Sequence, residues 1–382
     1  MDIRTSRPED LDQVEKLIVS RLDPSDGVDA RLLMTDPDAG CDWVGVAADG
    51  DGDRIVSTLT LMDETVTLAG LDISAGQVEQ VATDTEHEGR GLVRRLMGWA
   101  NDRSAERGHL LQLVIGVPYF YRQFGYAYSI PVKQTRALVT TPQAVAGHAV
   151  RRATEADIPV LARLQDDAQR GADLRMTHTT PCWRWLLRRT GSTTWVVERD
   201  GVPVATGRST PEEEGDVVLG EIAGVDDDAV RALVALVNPA QVGERHPALE
   251  AHLADRAPEL DQYMVRIPDV PMLFEHLRPV FTGRLRGHEP ADVVLGFYRT
   301  HVRFHWDGER IGPYEWGGTL LGPGSMGGAG IAPDLLAPLL FGPHGIDGLR
   351  RIFSDVYPGP RTELMTRLFP PVTSDLLTFY LP

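Results

Sequence analysis

The sequence predicts an α/β protein in which two related units are followed by an α+β domain. Near the N-terminus, Ile3-Arg4 forms a predicted short strand, and Pro8–Asp10 precedes apolar residues at helical spacing. The same order occurs again from Val150-Arg151 onwards, where an acidic helix start precedes further apolar residues. The positions that correspond between the two segments are Arg4 and Arg151, Asp10 and Asp157, and Leu11 and Ile158.

A second pattern, made of a strand, a tight turn and another strand, also occurs twice. It runs from Trp43 through Asp49-Gly50 in the first segment, and from Trp195 through Asp200-Gly201 in the second. Two related α/β units in tandem explain both patterns. Chance similarity between two unrelated α/β domains is the alternative.

The pattern changes after Pro268, where further prolines interrupt the chain. Strands are predicted at Val293–Tyr298 and His301–Trp306, with a Gly/Pro-rich connection at 312–330 and helical segments beyond it. We therefore predict three domains, at residues 1–147, 148–269 and 270–382, and the last of them belongs to the α+β class.

Composition narrows the classes of function. The 382 residues include 38 basic and 55 acidic side chains, which gives a net charge of −17. A general nucleic-acid binder is excluded, because neutralising phosphates requires a basic surface. A solvated acidic surface explains the charge, and attraction of a cationic substrate is the alternative.

Neither a metal site nor a targeting segment is predicted. Cys41 and Cys182 lie far apart and match no zinc or redox spacing. The N-terminus lacks a basic segment followed by an apolar one, and the chain contains no apolar run of about 18 residues. We therefore expect a cytoplasmic protein without metal, nucleic acid or membrane partners.

One segment of the first unit has the pattern of an anion-binding site. Gln77–Thr83 is a predicted strand, Gly89-Arg90-Gly91 is a turn, and a helix with apolar residues at helical spacing begins at Leu92. Backbone N–H groups converge at such a helix start, the helix dipole favours negative charge, and glycines allow close approach. A helix entry without any ligand is the alternative.

An aromatic segment follows the next predicted strand, Leu110–Gly116, and runs from Pro118 to Tyr126 as Pro-Tyr-Phe-Tyr-Arg-Gln-Phe-Gly-Tyr. Together, the turn and this segment resemble the GNAT superfamily of N-acetyltransferases. Its acetyl-CoA loop has the form Arg/Gln-x-x-Gly-x-Gly/Ala, and its later motif resembles Pro-x-Tyr-Tyr-x-x-Phe-Gly-Phe. The later motif matches closely here. The loop diverges, because Glu88 and Val93 stand at its first and last positions and only Gly91 matches.

The resemblance extends over nearly the whole chain. Two GNAT units, the second degenerate, followed by a sterol-carrier-like α+β domain form the architecture of the enhanced-intracellular-survival (Eis) acetyltransferases. This resemblance implies tandem GNAT acyl-CoA N-acyltransferase folds with mixed central sheets, and relatives that assemble into rings make a homo-oligomer an expectation. In the second unit, Asp226-Asp227-Asp228 stands where a pyrophosphate turn would lie, so we expect that unit to be inactive.

The resemblance also implies a mechanism, in which acetyl-CoA is the co-substrate and no metal takes part. Tyr121 aligns with the general acid that protonates the CoA sulfur. The base is either the α-carboxylate of Pro382, which must fold back onto the first domain, or Glu79, acting directly or through water. The backbone of Val81, Ala82 and Thr83 would hold the acetyl group, and the remaining predicted cofactor-binding residues are Gly89, Arg90, Gly91, Leu92, Val93, Arg94, Gly116 and Val117.

The predicted function is transfer of acetyl to a primary amine, either a small cationic molecule or a protein lysine. One alternative is a non-catalytic acyl-CoA-binding or regulatory protein, because the carboxylate of Glu88 would repel a pyrophosphate. A second alternative is a lipid-binding protein, which would need a deep apolar tunnel in residues 271–382. His87, within the turn, is predicted to contact solvent or phosphate.

Overall fold

The computed structural model describes residues 1–50, 54–143, 145–211, 217–256, 261–320, 322, 324 and 327–378. It has the α/β fold that the sequence predicts, with helices packed on three mixed sheets. The α-helices are α1 Leu11–Arg21, α2 Pro24–Thr35, α3 Leu92–Glu106, α4 Ile158–Gln169, α5 Thr180–Arg188, α6 Asp227–Val237, α7 Val270–His276, α8 Arg278–Leu285, α9 Leu336–Phe341, α10 Gly345–Ile352 and α11 Thr362–Leu368.

The first sheet has the strand order β1-β2-β3-β4-β5-β14-β6, and β9 joins it beside β3 and carries β20 on its other side. Only β4 with β5 and β20 with β9 pair in parallel in this sheet. Its strands are β1 Asp2–Thr5, β2 Val44–Asp49, β3 Arg54–Leu68, β4 Leu71–Thr83, β5 Leu111–Val114, β6 Ala127–Pro131, β9 Leu174–Met176, β14 Gln262–Arg266 and β20 Ser374–Leu376.

The second sheet has the order β7-β13-β12-β11-β10-β8, and the third has the order β17-β16-β15-β18-β19. The predicted strand His301–Trp306 is confirmed as β16. Strands of the second sheet are β7 Thr135–Ala137, β8 His148–Arg152, β10 Thr193–Arg199, β11 Val202–Pro211, β12 Val217–Gly224 and β13 Gln241–Gly243; those of the third are β15 Ala291–Gly296, β16 His301–Trp306, β17 Glu315–Gly317, β18 Ala329–Ile331 and β19 Val356–Tyr357.

The repeated helix start has the same geometry in both units. Arg4 donates from Nη1 and Nη2 to the two carboxylate oxygens of Asp10, at 2.6 and 3.0 Å. Arg151 binds the two oxygens of Asp157 in the same way, at 2.8 Å each. Such two-point pairs are strong and directional, so they fix each first strand against the helix that follows it.

The sheets exchange strands across the predicted domain boundaries. β7 comes before residue 147 but pairs with β13 of the second sheet, through Arg136 and Val242. Conversely, β9 and β14 come after residue 148 but pair within the first sheet. The boundaries at 1–147, 148–269 and 270–382 remain predictions, and the sheets bind these segments together more closely than consecutive folding units would require.

The largest apolar core joins the first sheet to the third domain, and aromatic rings fill much of it. The ring of Phe274 on α7 lies 5.4 Å from that of Phe281 and 5.5 Å from that of Trp316, measured between ring centres. Tyr314 packs against Phe274 at 5.9 Å. Among the residues described, no helix combines the length and apolarity needed to cross a bilayer.

Candidate active site

A cleft opens in the first sheet where β4 and β5 separate. The two strands pair in parallel from Ala75–Val78 to Leu111–Val114, and beyond Val78 β4 loses β5 but stays paired with β3 as far as Thr83. β4 also bulges in this stretch: its register with β3 shifts, and Gln80 has a φ of 49°. A bulge bends its strand and redirects backbone groups, and the residues at the bulge and beyond it, Val81, Ala82 and Thr83, line the cleft.

The cleft holds a cavity of about 540 Å³, which extends from the bulge of β4 to the start of α3. Ten of the predicted cofactor-binding and catalytic residues line it: Val81, Ala82, Thr83, Gly89, Gly91, Leu92, Val93, Arg94, Val117 and Tyr121. The sequence motifs, which lie on separate segments, are thus brought to one wall of one cavity.

The turn before α3 is built to receive an anion. Gly89 and Gly91 have φ values of 72° and 73°, in the left-handed region that residues with a Cβ rarely adopt. The predicted helix start at Leu92 is confirmed. The first N–H groups of a helix have no acceptor within it, and the first three residues of α3, Leu92, Val93 and Arg94, line this cavity.

The charge of Glu88, which sequence reasoning took as unfavourable to a pyrophosphate, is paired. Its Oε1 accepts from Nη2 of Arg21, at the end of α1, at 2.5 Å. Arg21 lines the same cavity. On the opposite side, Arg94 donates to Oε1 of Gln123 at 2.6 Å and stacks over the ring of Phe124. Two guanidinium groups therefore flank the turn and outweigh the single carboxylate.

A second cavity of about 360 Å³ adjoins the first on the other side of β4. The two cavities share Leu22, Val81, Val117 and Tyr121 in their walls. The residues that line only the second cavity are Asp26, Val78, Glu79, Gln80, Ile115, Gly116, Arg189 and Thr378. The described molecule thus has two chambers whose walls share Tyr121 and Val81.

Tyr121 is 6% exposed, and its ring packs against those of Phe120, Phe124 and Tyr126. Burial, with a smaller contribution from the charge of Glu79, raises its pKa to about 12. The phenol is therefore protonated at neutral pH and available as a proton donor. Gly116 makes the ring's position possible, since a Cβ there would lie 2.7 Å from Cε2 of Tyr121.

Carboxyl groups dominate the second cavity. Burial raises the pKa of Glu79 to about 8, although a hydrogen bond from the Gln77 amide favours its ionised form. Burial also raises the pKa of Asp26. Behind them, Arg189 donates from Nε to Asp29 at 2.8 Å, and burial raises the pKa of Asp29 to about 6. A carboxyl that titrates near neutral pH at a cavity wall is suited to proton transfer.

Four predicted residues remain, of which Glu79 lines the second cavity. Gly116 lines the second cavity, beneath Tyr121. Arg90 is exposed and lines neither cavity; its Nη2 donates to the carbonyl of Glu86 at 2.9 Å. Pro382 lies outside the described residues. The closest described part of that tail, Thr378, is buried and reaches the second cavity.

His87, which was predicted to contact solvent or phosphate, is 5% exposed and lines the first cavity. Its ring lies between two carboxylates, with Nε2 3.4 Å from Asp49 and Nδ1 3.8 Å from Asp84. Within the described part of the chain, Asp84, Glu86 and His87 are the one group with the spacing of metal ligands. Arg54 already pairs with Asp84 at 2.8 Å and approaches Glu86, so the group serves to fix the turn.

Sequence reasoning missed the residues that complete the site from a distance. Arg21, Asp26 and Arg189 come from three helical segments, and Thr378 comes from the far end of the chain. None of them belongs to a motif. For Arg21, the basic residue in the last turn of a helix is the only local signal, and it does not indicate a partner 67 positions away.

The second unit keeps the strand bulge but not the anion-binding turn. Glu221 of β12 has a φ of 49°, like Gln80, and the register between β11 and β12 shifts beside it. At the start of α6, however, Asp226 caps the helix by accepting from the N–H of Ala229 at 2.8 Å. Arg199 pairs with the same carboxylate. A capped, acidic helix start has no place for a phosphate.

Comparison with known proteins agrees with this geometry. Residues 2–129 match the model of an acetyltransferase (GNAT) domain. These residues have the signature of a GNAT domain. The matched segment ends within β6, so it includes the bulge of β4, the glycine turn and Tyr121. No curated protein matches the sequence.

Solved structures share the fold over the whole chain. A conserved protein of unknown function from Enterococcus faecalis is 13% identical, with 99% of each chain covered and a TM-score of 0.71. A GCN5-related N-acetyltransferase from Anabaena variabilis is 12% identical, with 98% of each covered and a TM-score of 0.68. Eis1 from Mycobacterium abscessus is 14% identical, with 98% of this chain and 99% of that chain covered, and a TM-score of 0.64. At these identities the likeness establishes the fold alone, and the family match lies in the first third of the chain.

Proposed function

We propose that the chain is an N-acetyltransferase that moves acetyl from acetyl-CoA to a primary amine by direct attack. The observation on which this rests is that two chambers meet at Tyr121 and Val81. The chamber at the glycine turn suits a diphosphate and an extended thioester, and the chamber with Glu79 suits an amine. A thioester that passes between them would present its carbonyl carbon at the junction.

Each step of the reaction has a group in reach of this junction. The amine lone pair forms a bond to the carbonyl carbon, and the backbone N–H groups at the end of β4 stabilise the resulting oxyanion. The C–S bond then breaks, and Tyr121 gives its proton to the departing sulfur. The proton of the amine passes to a base, for which Glu79, water and the α-carboxylate of Pro382 are the candidates.

The acceptor is proposed to be a cationic amine, either a small molecule or a protein lysine. Asp26 and Glu79 line its chamber, and the one arginine there, Arg189, is paired with Asp29. Burial favours the neutral form of these carboxyls, and a cation that enters the chamber favours their ionised form and is bound by it. A base among them converts the ammonium to the neutral amine that attacks.

The experiment is turnover of acetyl-CoA with a panel of cationic amines and lysine peptides, compared with propionyl-CoA and longer acyl-CoAs. We expect Tyr121→Phe to lower kcat by a factor of about 100 to 10,000, with little change in affinity for CoA. Tyr126→Phe is the matched control, because that phenol donates to Gln112 at 3.0 Å, away from the junction. Equal kcat in wild type and Tyr121→Phe would remove Tyr121 from the mechanism.

The same experiment tests the alternative function, a non-catalytic acyl-CoA-binding protein. CoA binding without turnover of any amine would favour it. Repulsion between Glu88 and a pyrophosphate is the reason to consider this alternative, but Glu88 forms an ion pair with Arg21. A lipid-binding function of the third domain is less well supported, because aromatic rings such as Phe274, Phe281 and Trp316 pack its described interior.

A further inference from the structure

The last described residues of the chain bind to the second unit. β20 pairs in parallel with β9, and the N–H of Leu377 donates to the carbonyl of Met176 at 2.9 Å. Asp375, which is 5% exposed, pairs with Nε of Arg245 at 2.9 Å. The amide of Gln169 donates to the Asp375 carbonyl at 2.8 Å. The tail is therefore a strand that is held by backbone hydrogen bonds and by the ion pair of the Asp375 side chain.

One residue further on, the tail reaches the second chamber of the active site. Thr378 is 5% exposed and lines that chamber together with Glu79 and Tyr121. Its carbonyl accepts from Nη2 of Arg208 at 2.8 Å. The buried phenol of Tyr263 lies beside its hydroxyl. The position of the tail at the acceptor chamber thus depends on Arg208 of β11.

Arg208 is held by a buried network. Its side chain is fully buried, and it donates from Nε and Nη2 to both carboxylate oxygens of Glu221, at 3.1 and 2.8 Å. His178 contacts the same carboxylate at 2.8 Å. Burial opposes ionisation of Glu221, but the charges of Arg208 and His178 outweigh it and hold its pKa well below its usual range. The guanidinium is therefore fixed in one orientation.

This network occupies the strand bulge that the second unit shares with the first. In the first unit, the bulge residue Gln80 accepts from the Thr60 hydroxyl at 3.2 Å. In the second unit, Glu221 stands at the bulge and Arg208 stands on the neighbouring strand, as Thr60 does. The neutral pair Thr60–Gln80 of the first unit thus corresponds to a charged pair, Arg208–Glu221, in the second unit. Arg208 also donates to the tail, at the carbonyl of Thr378.

We propose that Arg208 and Glu221 are positioning residues that hold the C-terminal segment against the acceptor chamber of the first unit. The proposal rests on the proposed transferase function. It gives the second unit, whose helix start has no place for a phosphate, a role in the reaction. Neither residue touches the reacting atoms; both act through the backbone of Thr378.

The test is the double variant Arg208→Met/Glu221→Gln, which removes the donor to the tail together with the carboxylate that it pairs with, while the amide introduced at position 221 can still bond to His178. Replacing a buried ion pair by groups of similar volume is often neutral for stability, so the variant is expected to fold. We expect kcat to fall about tenfold to a hundredfold, because small displacements of site groups have effects of that size. The KM for acetyl-CoA should stay unchanged, since the network does not line the first cavity.

The matched control is Arg151→Met/Asp157→Asn, which removes an Arg–Asp pair of the same unit that does not contact the tail. It should keep the wild-type kcat. A chain shortened to end at Leu376 supplies the mechanistic comparison. In that background the Arg208/Glu221 double variant should lower kcat no further, because the segment it positions is missing.

Hydrogen exchange supplies a readout that does not depend on turnover. Exchange at the amide of Leu377 should become faster in the Arg208/Glu221 variant and stay unchanged in the control. Wild-type kcat and unchanged exchange in the variant would overturn the proposal. A wild-type chain that acetylates no amine would defeat the proposed function instead, and exchange would still decide whether Arg208 holds the tail.

Discussion

Replacement of Glu79 by glutamine tests whether this carboxyl accepts the proton of the attacking amine. Glu79 lines the acceptor chamber, and burial raises its pKa to about 8 from the usual 4.5. Because its pKa is raised, this carboxyl stays protonated up to a higher pH than an ordinary glutamate. At pH 7, about one molecule in ten has the ionised form that a base requires.

The sign and size of the pH effect follow from this pKa. Below pH 8 the ionised fraction grows about tenfold per pH unit, so kcat/KM should rise with pH by that factor and level off above pH 8. In Glu79→Gln this rise should disappear, and kcat/KM should fall by a factor of about 100 near pH 8. The amine chosen should be weakly basic, so that its own protonation adds no slope over this range.

The assay is loss of the thioester absorbance of acetyl-CoA, which does not depend on ionisation of the released thiol. Glu64→Gln is the matched control. Glu64 also has a pKa raised by burial to about 8, with the charge of Glu79 as a second cause, but it does not line the chamber. It should keep the rise with pH. A profile in Glu79→Gln that still rises tenfold per unit would refute the reasoning and leave water or the tail as the base.

Three further variants test the rest of the site. Gly116→Ala places a methyl group 2.7 Å from the tightly packed Tyr121 ring; we expect kcat to fall about tenfold to a hundredfold and the melting temperature to fall by a few degrees, and wild-type kcat would contradict the packing argument. Arg21→Gln leaves a carboxylate unpaired beside the turn; the KM for acetyl-CoA should rise about tenfold, by more at low salt, and an unchanged KM would mean that this ion pair does not matter for binding. Deletion of Leu381 and Pro382 should lower kcat if the α-carboxylate is the base, and full activity afterwards would leave Glu79 or solvent.

The parts of the site that the sequence predicted are those built from short segments. The glycine turn and the helix start at Leu92 depend on backbone conformations that neighbouring residues dictate, so the local sequence indicates them. The aromatic motif around Tyr121 is equally local. The repeat of Arg4 and Asp10 at Arg151 and Asp157 was visible because each set spans only a strand and a helix start, although the ion pairs themselves were not predicted.

The parts that escaped prediction join distant segments. The pairing of Glu88 with Arg21 reverses the expected repulsion at the turn, and no pattern within either segment indicates it. The contact of His87 with Asp49 was not predicted, because Asp49 lies at the end of another strand. The strand exchange between sheets was hidden for a similar reason: β7 and β14 have ordinary strand sequences, and only tertiary packing selects their partners.

The two bulges show how one backbone device takes on two tasks. At Gln80 the bulge lies beside a cleft, and its strand continues to a glycine turn that leaves helix N–H groups unoccupied. At Glu221 the strand leads to a helix start that Asp226 caps, so no anion is accommodated and the space beside the bulge is filled by Arg208. A buried arginine is costly unless every donor finds a partner. The Thr378 carbonyl is one of those partners, so the stability of the second core and the placement of the tail at the first site depend on the same guanidinium group.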